Sequence, residues 1–342
     1  MKTLVTGGSG FIGSAVVLEL LRRGQTVRAL VRSREHPGNL AGLDVELVQG
    51  DLLDFDSLNR VVQGCDQAYH LAAVYANWLT DMRVIARVNI EGTRNFLQAC
   101  LNGHVSRVVY TSSVAASGAH GKAPANETVQ FNLASTRDEY YLSKYRAEQV
   151  ALEFAGQGLP LVIVSPTNAL GPRDIKPTPT GKIILDFIKG RLPAYVDTGL
   201  NLVGVEDVAR GHLQAEEKGR IGERYILGGE NWSLEELLDV LASICGRRVP
   251  RVRIPWIAAL VAGYLDNFFV GTLLRREPFI PLEGVRMARY KMYVSSEKAR
   301  RELGYNPSPT EQALRNAVHY FQHQWQPAAG NDRVSNLRPD TA

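Results

Sequence analysis

An α/β fold is predicted for this chain of 342 residues: a doubly wound parallel sheet with a smaller C-terminal lobe. Three observations predict it. Gly7, Gly10 and Gly13 stand between a short apolar strand and a helical pattern. Strand-length apolar runs then alternate with helix-length segments through the first half, the order that builds a parallel sheet with helices on both faces. After Pro166 the style becomes turn-rich and the alternation stops.

The first strand is Met1 to Thr6, and a helical pattern follows from Ser14 to Leu21. Val27 to Val31 reads as the second strand, and Val45 to Gln49, running into Gly50-Asp51, as the third. Ala68 to Ala73, Arg107 to Ser113 and Leu161 to Ser165 are the fourth, fifth and sixth. Between them lie helices such as Arg87 to Asn102 and Tyr140 to Gly156, long enough for right-handed parallel crossovers. The nucleotide-binding part is placed at residues 1–167, with a return segment near 200–230 that begins at Gly204 to His212. Residues 168–325 form mainly a substrate lobe, opened by the rigid run Gly171 to Gly181. Residues 327–342 are polar, with Pro and Gly, and read as a frayed tail. Ile254 to Leu274 is the most apolar stretch of the second half. Arg248, Arg251 and Arg253 precede it, and Arg275 and Arg276 follow. Pro255, Gly263, Asp266, Asn267 and Gly271 interrupt it, so a helix buried in the substrate lobe is expected rather than a bilayer span. Peripheral membrane contact is the less favoured reading. A hydrophobic wall there suits a ligand with a lipid or aromatic portion.

Hydrophobic content of 45% and charged content of 22% are those of a soluble globular protein. The net charge is +4 and no Lys/Arg run reaches five, which argues against a nucleic-acid partner. Cys65, Cys100 and Cys245 are far apart, without metal-ligand spacing, as expected of buried thiols in a reducing compartment. A strand that begins at Lys2 leaves no room for a signal peptide, so a cytoplasmic location is expected.

The glycine trio carries chemistry because of its flanks. Gly7 permits the tight turn, Gly10 lets backbone N–H groups approach a pyrophosphate, and Gly13 lets the helix lie close on the strand. The helix N-terminus then presents donors and a positive dipole end to phosphates.

A second constellation supplies a reaction. Tyr140 and Lys144 are four residues apart, on one face of a helix. A tyrosine acting as base near neutral pH needs stabilisation of its anion by about 4 kcal/mol. One cation at ~4 Å supplies that much at an effective dielectric near ~20, so Lys144 is expected to lower the Tyr140 pKa. Ser113 closes the fifth strand, at the strand ends where such sheets bind ligands, and can hydrogen-bond the reacting oxygen. A half-buried Tyr beside a snorkelling Lys would also produce the spacing; Ser113 is what raises it above that.

Taken with Thr111-Ser112-Ser113 and His70-Leu71-Ala72-Ala73, these residues resemble an extended short-chain dehydrogenase/reductase, of the NAD-dependent epimerase/dehydratase family. Asn89 in Val88-Asn89-Ile90-Glu91-Gly92-Thr93 is similar to that family's structural asparagine and is grouped with the catalytic set. Lys298-Ala299 and Leu303-Gly304-Tyr305-Asn306-Pro307 resemble its C-terminal signature. The resemblance covers residues 1–325. Within the family, Gly171 to Thr180, Pro193 to Asn201 and Gly222 to Asn231 are most similar to the hopanoid-associated sugar epimerases, with dihydroflavonol-4-reductase-like proteins next.

The resemblance implies a Rossmann domain, a nicotinamide cofactor, a small-molecule substrate and a homodimer. Thr6, Phe11 and Ile12 would join the glycines around the cofactor. Asp51 and Leu52 would meet the adenine, Leu71, Ala72 and Ala73 would line the ribose and nicotinamide path, and Pro166 and Asn168 would border the nicotinamide. Tyr140 and Lys144 also belong to the cofactor site, Lys144 through the nicotinamide ribose. NAD-selective relatives carry an acid at the end of the second strand; here Val31-Arg32-Ser33-Arg34 offers arginine, which favours NADP over NAD.

Other chemistries fare worse. His70 and His212 read as hydrogen-bonded core histidines, and His319 and His323 have no acidic partner nearby, so no metal is expected. The Asp-Glu pair of the sugar dehydratases is replaced by Val114-Ala115. Gly204 stands where many relatives carry His or Tyr. The expected activity is hydride transfer at a secondary alcohol or ketone, first as a sugar epimerase, alternatively as an NADP-dependent ketone reductase. A non-catalytic nucleotide sensor is disfavoured by the intact Ser113, Tyr140 and Lys144.

Overall fold

In the computed structural model the described residues are 1–75, 82–118, 123–134, 138–274, 276, 278–280 and 282–326. The tail 327–342 and Arg275 lie outside them. Seven strands form one parallel sheet: β1 (Lys2–Thr6), β2 (Thr26–Val31), β3 (Glu46–Gln49), β4 (Gln67–His70), β5 (Arg107–Thr111), β6 (Leu161–Pro166) and, later in the chain, β10 (Arg224–Leu227). Their order is β10-β6-β5-β4-β1-β2-β3. The order in which the strands are connected reverses between β1 and β4, the place where α/β sheets bind ligands. Central strands such as β6, Leu-Val-Ile-Val-Ser-Pro, are buried along their whole length because helices cover both faces.

One face is covered by α1 (Phe11–Arg22) and α7 (Val205–Lys218), which pack on each other. Val16, Val17 and Leu20 meet Val208, Ala209 and Leu213 there in one core cluster. The other face carries α2 (Phe55–Val62), α4 (Gly92–Asn102) and α5 (Glu139–Gly156) around Phe96, Leu97, Ala151 and Phe154. A short helix α3 (Arg83–Ala86) runs through a π turn, Arg87–Glu91, into α4. The segment from Val205 to Leu227, holding α7 and β10, is thus part of the sheet domain despite following the excursion that starts after Pro166.

The C-terminal lobe holds a second sheet of β7 (Asn168–Leu170), β9 (Gly199–Gly204), β11 (Glu230–Ser233) and β13 (Lys291–Met292), and a small pair, β8 (Ala194–Val196) with β12 (Val252–Ile254). Its core lies between α6 (Pro179–Ile188), α8 (Leu234–Cys245) and α12 (Thr310–His323). Sequence chemistry sets these ends. Ser233 and Glu236 form a reciprocal capping box at the start of α8, and Gly246 (φ 62°) closes it in the left-handed conformation. Helix α11 (Glu297–Leu303) packs on α7 and β10.

One expectation fails. The apolar stretch Ile254 to Leu274 does not bury its apolar face. Its helix α9 (Trp256–Asp266) buries only Ala259 and Gly263. The reason is the partner: α10 (Leu282–Met287) folds back on one side of α9, and among the described residues no core element covers the other.

Candidate functional site

The C-terminal ends of β1, β4, β5 and β6 lie along one edge of the parallel sheet, the edge where such sheets hold ligands in a cleft, and each predicted group can be placed against it. Past β1 the chain turns at Gly7 with φ 71°, a conformation that suits glycine. A Cβ there would sit 2.6 Å from the backbone nitrogen of Ala72, so β1 and the segment after β4 touch at this turn. A Cβ at Gly13 would sit 2.1 Å from the Gly7 carbonyl oxygen, which is why α1 starts so close to the strand. Gly10 differs. Among the described residues a Cβ there meets only the Gly7 oxygen, at 3.2 Å. The N-terminus of α1 therefore faces open space, with no side-chain cap and no acid in its first turn. Such an end fits a pyrophosphate. Phe11 and Ile12 are half-buried on the core beneath it.

Three expected cofactor contacts turn inward instead. Thr6 is fully buried, and its hydroxyl pairs with His70 Nδ1 at 2.7 Å and accepts from Ala72 N at 3.3 Å. It positions the loop rather than lining it. Leu52 packs into the core under Gly92, and its carbonyl accepts from Asn95 Nδ2 at 3.0 Å. Asn168 spends its amide on the C-terminal lobe, donating to Asn201 O at 3.0 Å and accepting from Thr180 Oγ1 at 3.5 Å. The others stay near the cleft. Leu71 and Ala72 are half-buried and Ala73 is exposed. Asp51 is half-buried, with Oδ1 accepting from Leu53 N at 2.9 Å. Pro166 ends β6, and the neighbouring Thr167 hydroxyl is buried without a partner among the described residues. Arg32 is exposed at the end of β2, with no ion pair among the described residues and no carboxylate in Val31-Arg32-Ser33-Arg34.

The reactive groups come from β5 and α5. Asp138 caps α5, its Oδ1 accepting from Tyr140 N at 2.8 Å and Tyr141 N at 3.3 Å. That cap fixes the first turn, and with it Tyr140. The Ser113 side chain accepts from Ala115 N at 3.2 Å and stands close enough to the Tyr140 phenol to pull its pKa down. Lys144, one turn on, is 4% exposed and donates to the Thr111 carbonyl at 2.9 Å. Ser113, Tyr140 and Lys144 thus lie together.

The electrostatics depart from the expectation. Burial pushes the Tyr140 pKa up, the Ser113 side chain pulls it down, and Asp138 pushes it up again. Lys144 is not among the groups that lower it, because its ammonium is directed to Thr111 O and is itself costly to bury. Burial pulls the Lys144 pKa down to about 8, against an opposing pull from Glu148. The site therefore holds a protonated phenol at neutral pH, an acid ready to meet a carbonyl oxygen.

Asn89 does not reach the reacting groups. It is buried in the π turn, where Oδ1 accepts from Val74 N at 2.7 Å and Nδ2 donates to Val74 O at 3.0 Å and Ser143 Oγ at 2.9 Å. It is a positioning residue that ties the segment after β4 to α5. His70 and His212 are buried and hydrogen-bonded, to Thr6 and Thr93 and to Thr111 and Val208. Burial lowers their pKa to about 3 and about 4, so both are neutral.

Sequence reasoning missed three features. Tyr75 sets its ring edge-on to Tyr140, centroids 4.6 Å apart, and walls the cleft from the β4 side. Glu148 is 4% exposed and bridges Ser112 Oγ and Arg224 Nη1, the latter at 2.9 Å, joining β5, α5 and β10. Its position one turn after Lys144 is the signal that could have found it. The third is Thr111 O, a backbone acceptor that no side-chain pattern reports.

The NAD dependent epimerase/dehydratase family matches residues 3–228. A Synechocystis protein provisionally named dihydroflavonol 4-reductase is 45% identical over 93% of this chain and 94% of its own length. Sterol demethylase protein B of Methylococcus capsulatus is 34% identical over 95% of this chain and 99% of its own. The crystal structure of PA4631, a nucleoside-diphosphate-sugar epimerase from Pseudomonas aeruginosa, superposes with a TM-score of 0.76 at 29% identity, covering 94% of this chain and 97% of that one.

Proposed function

The chain belongs to the NAD dependent epimerase/dehydratase family, an NAD(P)-binding enzyme family, and from that premise we propose that it is an NADP-linked reductase of a ketone carried on a largely apolar molecule. The observation that carries the reading is the grouping of Ser113, Tyr140 and Lys144 at the end of β5, with the Lys144 ammonium buried on the Thr111 carbonyl. Ser113 orients the substrate oxygen, Tyr140 gives it a proton in the reductive direction and takes one in the oxidative, and Lys144 holds the nicotinamide ribose. A bound nicotinamide cofactor supplies or accepts the hydride. The glycine loop and the α1 N-terminus receive the pyrophosphate. Arg32, lacking a carboxylate partner at the end of β2, receives a 2′-phosphate.

The names of two relatives bear on the substrate: one names a dihydroflavonol and the other a sterol, both fused-ring molecules with little charge. A sugar epimerase of the hopanoid-associated type is the second reading. It is favoured by the runs Gly171 to Thr180, Pro193 to Asn201 and Gly222 to Asn231, and by the name of the Pseudomonas structure. The missing acid pair after Ser113, where Val114 and Ala115 stand, speaks against dehydration under either reading. The enzyme works in the cytoplasm, where NADPH is plentiful and its thiols stay reduced.

Cofactor turnover separates the two. The purified protein is incubated with NADPH and a panel of flavanonol and steroid ketones, and absorbance of the reduced cofactor is followed. Stoichiometric loss of NADPH with one ketone is expected. Isolation of the protein with tightly held cofactor that is not consumed, together with interconversion of nucleotide sugars, would replace this reading by the epimerase.

A further inference from the structure

An apolar arm leaves the C-terminal lobe beside the catalytic mouth. Helix α9 continues through a π-type segment, Asn267–Leu273, giving 18 helical residues from Trp256. That is about 27 Å of helix. Ile257, Val261, Leu265, Phe268, Phe269 and Leu273 are all more than half exposed, from 53% for Phe269 to 69% for Leu273. They recur at helical spacing along one side. Contiguous apolar patches of this length are rare on monomeric soluble surfaces and mark interaction sites.

The chain then comes back to the same body. Asp266 Oδ2 accepts from Ile280 N at 2.6 Å, Gly263 lies against Ile280 and Leu282, and Trp256 Nε1 donates to Val285 O at 2.7 Å. Entry and exit are on one side, so the arm is built to dip into a surface and not to cross it.

Charge identifies the surface. Residues 247–291 carry nine Lys/Arg and three Asp/Glu, a net +6 in a chain whose total is +4, which leaves −2 for everything else. At the root of the arm a cleft of about 450 Å³ is lined by Arg253, Arg289 and Trp256 together with Asp197, which pairs with Arg253. Arg289 stacks over the Trp256 ring at 5.6 Å. Guanidinium groups beside an interfacial tryptophan match phosphate headgroups above an acyl layer.

We propose that this arm docks the enzyme on one leaflet of an anionic lipid bilayer, the apolar stripe entering the headgroup–acyl boundary and the arginines meeting lipid phosphates. The arm is continuous with the site. Met287 of α10 is buried with Leu133 and packs against Tyr141, the neighbour of Tyr140. Docking therefore brings the catalytic mouth to the membrane, where an apolar substrate resides. The proposal stands on the arm alone and does not depend on the reaction assigned above.

The test is vesicle flotation of the full chain. Vesicles of equal parts phosphatidylcholine and phosphatidylglycerol are compared with phosphatidylcholine alone, for the native protein, Phe268→Ser/Phe269→Ser and Arg251→Gln/Arg276→Gln. All four altered residues are exposed, so melting temperature and NADP(H) affinity should be unchanged. The native protein is expected to float with the anionic vesicles. The phenylalanine variant should lose at least about tenfold in affinity, and the arginine variant should lose its preference for anionic lipid. Absence of flotation by the native protein, or flotation indifferent to the phenylalanines, overturns the proposal. So does a dimer in lipid-free solution that the phenylalanine variant dissociates while neither protein binds vesicles, for then a second copy covers the stripe.

Discussion

Lys144 donates to the backbone carbonyl of Thr111 at 2.9 Å, and this bond anchors its charge at the end of β5. The ammonium is held by the sheet, not by the phenol it accompanies. Two consequences can be measured on the free enzyme.

The first is a pH limb. Burial lowers the Lys144 pKa to about 8, so the charge is present below that pH and lost above it. The value of kcat/KM for the cofactor should decline as pH rises through about 8, and this limb should be missing in Lys144→Met. The stability sign is opposite. A lysine whose folded pKa lies below its unfolded 10.5 carries its full burial cost below about pH 8, and that cost is relieved as pH rises toward 10.5. Glu148 raises the Lys144 pKa, so Glu148→Gln should move the limb to lower pH; a move upward, or none, would show that Glu148 does not act on Lys144.

The second concerns Tyr140. Tyr140→Phe removes the proton donor but keeps the ring that meets Tyr75. Turnover should fall by roughly 10² or more, with cofactor affinity and melting temperature nearly unchanged. Steady-state rates beside a thermal melt check this, and an active Phe variant would remove Tyr140 from the chemistry.

Arg32 tests the cofactor form. Its exposed guanidinium has no ion pair among the described residues, so it is free to meet a 2′-phosphate. Arg32→Ala should weaken NADP(H) by about 1.5–3 kcal/mol, the scale of a hydrogen bond to a charged group, and leave NAD(H) unchanged. Calorimetric titration of both cofactors decides it. Equal losses would mean that Arg32 does not read the phosphate.

The sheet is legible in the sequence because its signals are local. Continuous apolar runs such as Leu161 to Val164 and the strand–glycine–helix start report their own conformation. Ser113, Tyr140 and Lys144 are legible for a related reason: residue type and spacing together narrow the chemistry. What escapes reading is long-range. Thr6 and Leu52 sit where a cofactor contact is expected but point into the core, a direction set by His70 and Gly92 far along the chain. The same holds for α9. Its apolarity predicts burial, yet burial needs a covering partner, and one sequence does not show that none arrives among the described residues.

Asn89 shows how such a long-range tie can still be tested. Its side chain satisfies both backbone groups of Val74 and the hydroxyl of Ser143, all from a π turn. Asn89→Ala leaves the half-buried Val74 N–H and C=O without these partners, a loss of about 1–3 kcal/mol. Asn89→Asp keeps the acceptor for Val74 N–H but sets a buried carboxylate oxygen against Val74 O, so it should cost at least as much stability as Ala. Because Ser143 precedes Lys144 and Val74 precedes Tyr75, loosening this tie should displace both walls of the catalytic cleft. The expected signature is a drop in kcat larger than the change in cofactor affinity, in both variants. A purely structural asparagine would lower the melting temperature and leave kcat per folded molecule untouched, and active-site titration distinguishes the two.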